Sequence, residues 1–192
     1  MTCTDAEWSR HHRTRAGYDF RDAIWLDGHD DQSIWGYDTG VDSFFAQLWT
    51  NGSESEDPEL WLTPPLLSAT WPYVLVPPIV AYADEEPLAV VRALGIARPA
   101  PELHGEDELV ERQERLLAED DHPYLAGQLR ALDWMLGHST TSPSTMTLVQ
   151  RGEYPTAEEV DAEATFAAGM LTLTGRTEWS GVEAGLFEAL QR

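Results

Sequence analysis

Lysine is absent from the sequence, and cysteine is nearly so. All 12 basic residues among the 192 are arginines, and Cys3 is the single cysteine. One cysteine excludes an internal disulfide and a cysteine-based zinc site. An unbroken apolar run that could span a membrane is also missing. Residues 60–83 are uncharged, but they contain prolines that would break a helix repeatedly, namely Pro64, Pro65, Pro72, Pro77 and Pro78.

The N-terminus shows no targeting signal. Arg10, Arg13 and Arg15 are not followed by the apolar stretch of a secretory signal. We therefore expect a cytoplasmic protein without a membrane segment. Residues 1–16 are polar and are predicted to form an arm outside the folded body.

Positively charged residues are also scarce. Residues 22–91 contain 13 Asp and Glu but no Lys or Arg, in a chain of net charge −22. Direct nucleic-acid binding is disfavoured, because phosphates are bound by Lys and Arg lined up on a surface. If the charge has a function, the excess of acid predicts a basic protein partner.

Three causes of the charge remain open. A high-GC genome favours Arg over Lys codons, which accounts for the missing lysine but not for the excess of acid. A high-salt cytoplasm favours acidic surfaces, because salt screens the repulsion between carboxylates. A functional cause is a negative surface made for a basic partner, such as a DNA-binding protein or a basic toxin.

The sequence also lacks complete metal-binding and catalytic motifs. The acidic run Asp27–Asp31 lacks the alternating ligands of a calcium loop, and we interpret it as a solvated turn. His104-Gly-Glu106 matches the first half of a zinc deaminase signature, but the second half requires a pair of cysteines. The sequence therefore predicts no cofactor, no metal ligands and no catalytic residues, although a triad assembled from distant positions stays open.

The N-terminal half favours strands. Strands are predicted over residues 33–38, 43–50 and 59–63, as a three-stranded antiparallel meander in which Trp61 pairs across to the aromatic strand. Residues 38–42 are predicted to turn with Gly40 at positive φ. The segment 73–80 is predicted to be an edge strand, because its prolines bar it from the centre of a sheet.

The C-terminal half favours helices. Asp84 is predicted to cap a helix that has Pro87 in its first turn and ends at Gly95. Amphipathic helices are predicted over 106–119 and 123–137, and a lone strand over 146–149. Two capping boxes, Thr156 with Glu159 and Ser180 with Glu183, each predict a helix start.

These patterns predict an α+β fold, with a small antiparallel aromatic-rich sheet in the N-terminal half packed by C-terminal helices. After the arm, residues 17–192 are expected to form a single domain that is mainly β over 17–83 and mainly α over 84–192.

Aromatic residues crowd the same half as the acidic segment. Six of the eight tryptophans lie before residue 72, and alternation over 43–50 places aromatic rings on both faces of that strand. Either helices cover both faces of the sheet, or one face is a binding surface. The proposed partner-binding residues combine rings with acids: Trp35, Asp38, Asp42, Phe45, Trp49, Glu54, Glu56, Asp57 and Trp61.

The resulting hypothesis is a non-enzymatic acidic regulatory factor, of the immunity, antitoxin-like or anti-restriction kind, that engages a basic protein. One alternative is a hydrolase that uses a histidine and a carboxylate in a cleft. The other is a salt-adapted accessory protein whose charge serves no partner.

Overall fold

The computed structural model describes residues 17–99, 102–120, 122–144 and 154–190, and it shows the predicted α+β fold. The chain divides into a first unit that ends at Ala97 and a second unit that begins at Arg98. The sheet lies in the first unit. The proposed arm and the proposed strand at 146–149 lie outside the described residues, and the single domain stays a prediction.

Four antiparallel strands form the sheet in the order β1-β2-β3-β4. The strands are β1 Phe20–Ala23, β2 Ile34–Asp38, β3 Ser43–Leu48 and β4 Leu60–Leu62. The three predicted strands are confirmed, including the pairing of Trp61 with Gln47. The sheet contains a fourth strand, β1, that the sequence did not predict. Charged residues occupy its two central positions, so it shows no apolar alternation.

The two faces of the sheet differ in burial. One face carries the buried side chains of Trp35, Tyr37, Phe44 and Leu48, with Phe20 half-buried beside them. On the other face Phe45 is buried beneath the Arg21 guanidinium, which lies 5.8 Å from the centre of the ring. Trp61 on this face is 44% exposed, so part of the face meets solvent.

The segment after the sheet is helical. A short 3-10 helix, Pro72–Leu75, contacts β3 and leads into α1, Val76–Ala83. The predicted edge strand over 73–80 is therefore wrong. Proline also fits the first turn of a helix, where the N–H has no intrahelical acceptor, and Pro77 occupies that position in α1.

For helix α2, Pro87–Ala93, the predicted N-cap is wrong and the predicted C-terminal stop is confirmed. Its N-cap is Glu86, and Asp84 instead ends α1 in the left-handed conformation with φ 55°, so the predicted cap is wrong. The predicted stop is confirmed, with Gly95 at φ 63°.

The β2–β3 turn is held by carboxylates. The Asp19 side chain accepts hydrogen bonds from the Thr39 backbone N–H and hydroxyl at 2.6 and 3.0 Å, and the Tyr37 hydroxyl donates to Asp42. Asp42 takes the positive φ, at 51°. The prediction for Gly40 is wrong: its φ is not positive, and its N–H donates a local hydrogen bond to the Asp38 carboxylate at 2.7 Å.

The second unit contains four helices in its described ranges: α3 Glu106–Leu117, α4 Pro123–Met135, α5 Ala157–Thr174 and α6 Thr177–Ala189. The capping box of Thr156 and Glu159 is confirmed at the start of α5. The second capping box is wrong, because α6 begins at Thr177 and Ser180 lies within it. In the parts of the chain that are described, no helix is long and apolar enough to cross a membrane.

Helices α4 and α6 pack closely because glycines line their contact. A Cβ on Gly181 would overlap the Tyr124 carbonyl oxygen, and one on Gly127 would overlap the Glu178 carbonyl oxygen. Neither position can hold a side chain without moving the backbone.

Candidate functional site

Two loops meet at one end of the sheet, where β1 and β3 end and β2 and β4 begin. The loop after β1 joins the loop after β3 through an antiparallel bridge between His29 and Thr50. Two backbone bonds reinforce it, from the Asp30 N–H to the Trp49 oxygen at 2.8 Å and from the Asn51 N–H to the Gly28 oxygen at 2.9 Å. The carboxylates of both loops are thereby held beside each other.

The end of α1 joins the same region. The Tyr82 hydroxyl lies 3.0 Å from the Thr50 hydroxyl, and its ring centre lies 5.6 Å from that of His29. The acids that follow α1 therefore lie at this end too. We call the gathered carboxylates the acidic end: Asp27, Asp30, Asp31, Glu54, Glu56, Asp57, Glu59, Asp84, Glu85 and Glu86.

The loop after β3 is ordered by bonds from its own residues. The Glu59 carboxylate accepts a hydrogen bond from the Ser53 hydroxyl and another from the Thr50 N–H, at 3.1 Å. These two bonds, the first being the stronger influence, lower the pKa of Glu59 below its usual range. The Trp49 indole donates to the Glu56 carbonyl oxygen at 3.3 Å, so a buried ring helps to fix the exposed loop.

An open groove of about 400 Å³ lies beside the acidic end. Trp25 is 71% exposed in this groove, and Asp27 and Glu85 supply carboxylates from two distant parts of the chain. The remaining lining residues are Leu26, Ala89, Arg92 and Ala93. An exposed indole next to carboxylates is a suitable binding site for a guanidinium or ammonium group.

The predicted partner-binding residues fall into three groups. Trp35, Phe45 and Trp49 are buried, so their side chains support the sheet and do not offer contact area. At the acidic end or next to it lie four exposed members: Glu54, Glu56, Asp57 and Trp61.

The third group lies elsewhere. Asp38 and Asp42 belong to the β2–β3 turn at the opposite end of β3. Six strand residues separate the two ends by roughly 17 Å. The nine predicted residues therefore do not form one surface.

Trp25, Asp27 and Glu85 were missed as a group. No spacing rule connects Asp27 to Glu85, because only the return of α1 and α2 past the loop after β1 brings them together. The exposure of Trp25 had one signal in the sequence, its position two residues before the acidic run. A neighbouring apolar pair, Ile24 and Leu26, is buried and masked that signal.

The second unit contains a smaller pocket of about 200 Å³ whose lining includes one histidine, His104, and one carboxylate, Glu106. The His104 Nδ1 lies 2.7 Å from a Glu108 carboxylate oxygen, and both side chains are substantially exposed. The described lining includes no serine, threonine or cysteine, so it lacks the usual nucleophiles of hydrolases.

In the described ranges, no group of three or more His, Cys, Asp and Glu is arranged to hold a metal ion, and the Asp27–Asp31 turn is no exception. No family model matches the chain, and comparisons with curated proteins and with solved structures found no significant match.

Proposed function

We propose that the protein binds a basic protein partner through the acidic end, as a non-catalytic regulatory factor of the immunity, antitoxin-like or anti-restriction kind that acts in the cytoplasm. One observation carries the proposal. Three separate segments place ten of the fourteen carboxylates of residues 17–97 at one end of the sheet, beside an exposed tryptophan.

Electrostatics supports this proposal. Residues 17–97 contain two arginines, Arg21 and Arg92, against those fourteen acids. Carboxylates concentrated on one side create a field that speeds the approach of a positively charged protein and favours one orientation of docking.

The order of the loop after β3 supports it as well. The exposed Glu59 carboxylate and the buried Trp49 ring hold this loop in place. A loop that is ordered before binding loses less conformational entropy when the partner arrives.

The uneven distribution of acid argues against salt adaptation alone. A surface adapted only to a high-salt cytoplasm needs carboxylates on all sides, because each one serves hydration and not recognition. In the first unit, three segments that are far apart in sequence converge at the acidic end, which favours recognition over hydration.

The proposal is tested by neutralising the loop after β3. Glu54→Gln, Glu56→Gln and Asp57→Asn together remove three charges from exposed positions. We expect binding of an oligo-arginine peptide at low salt, and capture of the basic partner, to fall by about tenfold or more. Isothermal titration calorimetry and a pull-down at two salt concentrations measure both.

A matched control removes the same charge elsewhere. Glu111→Gln, Glu114→Gln and Glu119→Gln neutralise three exposed acids of the second unit and are expected to leave binding nearly unchanged. Equal losses in both triple variants would mean that net charge alone attracts the peptide. A pull-down that recovers no specific basic protein at low salt would also count against the proposal.

The groove is tested separately with Trp25→Ala. Loss of a cation–π contact should weaken binding by about threefold to tenfold. Trp71→Ala is the matched control. Trp71 is also exposed, but it follows Ala69, which pairs with Phe44 at the start of β3, the end opposite the acidic end.

A further inference from the structure

The pocket of the second unit has a buried apolar floor. Leu109, Met135, Leu136 and Pro155 form this floor, and Leu103 completes the apolar lining. A cavity of roughly 150 Å³ in another protein's apolar core is large enough to take up benzene. A pocket of about 200 Å³ therefore has room for one ring and a short chain.

The mouth of the pocket is polar and negatively charged. His104, Glu106 and Tyr154 surround it, and the Tyr154 hydroxyl donates to the Glu106 carboxylate over a long 3.4 Å. Glu106 also opens α3 together with Asp107 and Glu108. Three carboxylates outweigh the roughly half positive charge of a helix N-terminus, so the mouth attracts cations.

The histidine at the mouth already has a partner, since the His104 Nδ1 lies 2.7 Å from a Glu108 carboxylate oxygen. Among the described lining residues there is no arginine that would neutralise Glu106. An ammonium group can therefore replace the weak bond from Tyr154 and form a shorter bond with the Glu106 carboxylate.

From the apolar floor and this charged mouth we propose that the pocket binds a small primary amine whose apolar body is about the size of one ring. The ring lies against Leu109 and Leu136, and the ammonium group pairs with Glu106. This site is independent of the acidic end and of the function proposed for it.

The experiment is an NMR titration of the full chain with three probes of one shape, 2-phenylethylamine, 2-phenylethanol and phenylacetate. We expect the amine to shift the methyl resonances of Leu109, Met135 and Leu136. The neutral alcohol should bind about tenfold more weakly, and the anion should not bind.

Substitutions at the exposed rim of the pocket test the proposal without disturbing the core. Glu106→Gln should weaken the amine about tenfold and leave the alcohol unchanged. Tyr154→Phe removes the competing donor and should leave amine binding equal or tighter. Glu119→Gln removes the same charge beyond the end of α3 and should have no effect.

Three results would overturn the proposal. The first is equal binding of amine and alcohol, which would leave an apolar pocket without amine recognition. The second is an unchanged amine affinity in Glu106→Gln. The third is a set of amine-induced shifts confined to the Trp25 groove, which would place the cation at the acidic end instead.

Discussion

The two units use their carboxylates differently. In the second unit acids form ion pairs: the Arg98 guanidinium contacts both oxygens of the buried Asp161 carboxylate at 2.7 and 3.0 Å. Arg112 pairs with Glu188 in the same unit. In the first unit, Asp19 and Glu59 accept hydrogen bonds from hydroxyl and backbone N–H groups.

The comparison separates two roles of acid in one chain. An ion pair cancels charge, so the paired acids of the second unit, such as Asp161 and Glu188, contribute to its fold and less to its field. Hydrogen bonds from neutral donors orient a carboxylate without cancelling its charge. The ordered acids of the first unit therefore keep their negative charge available to the outside.

The largest expected effect concerns the close packing of the second unit. Gly181→Ala should destabilise this unit by about 3 kcal/mol, because the new methyl group overlaps the Tyr124 carbonyl oxygen and the helices must separate. Chemical denaturation measures the change. Gly105→Ala is the control: open space surrounds this glycine, and the expected loss is below about 1 kcal/mol. Equal losses would show that close packing does not hold α4 to α6.

The next effect tests the role of the ion pairs. Arg98→Leu leaves the nearly buried Asp161 carboxylate without its guanidinium and should cost about 2 kcal/mol, a value reduced because Arg98 is 39% exposed. Glu56→Gln, at the acidic end, should change the free energy of unfolding by less than about 0.5 kcal/mol. If both variants cost the same, the contrast between the units is wrong.

The smallest effect is a local change with pH. Because the folded pKa of Glu59 is lowered, its contribution to loop order is complete above its ordinary value of 4.5 and is lost as the pH falls through the lower folded value. The indole N–H resonance of Trp49 in NMR spectra reports the change through its bond to Glu56. In Glu59→Gln this transition should vanish. A Trp49 resonance that titrates identically in both proteins would contradict the assignment.

Local chemistry was enough to predict much of the fold. The strands at 34–38 and 43–48 follow from aromatic-rich runs bounded by turns, and α5 follows from the capping box of Thr156. The helical segment 72–83 was mispredicted because proline excludes the centre of a sheet without choosing between an edge strand and the first turn of a helix.

The candidate site was less predictable for a topological reason. Composition identified the acids, but strand direction decides which of them become neighbours. Asp42 and Asp57 seemed to share a surface because both flank the same aromatic strand. They lie at opposite ends of β3, whereas Glu85 returns to the acidic end through contacts that no local pattern encodes.

The bond between the Trp49 indole and the Glu56 carbonyl has a consequence for how recognition can change. A partner that touches only the loop would still respond to the ring behind it, since a smaller ring would let the loop shift. Affinity for such a partner is therefore adjustable from the interior, by substitutions that leave every atom of the contact area chemically the same.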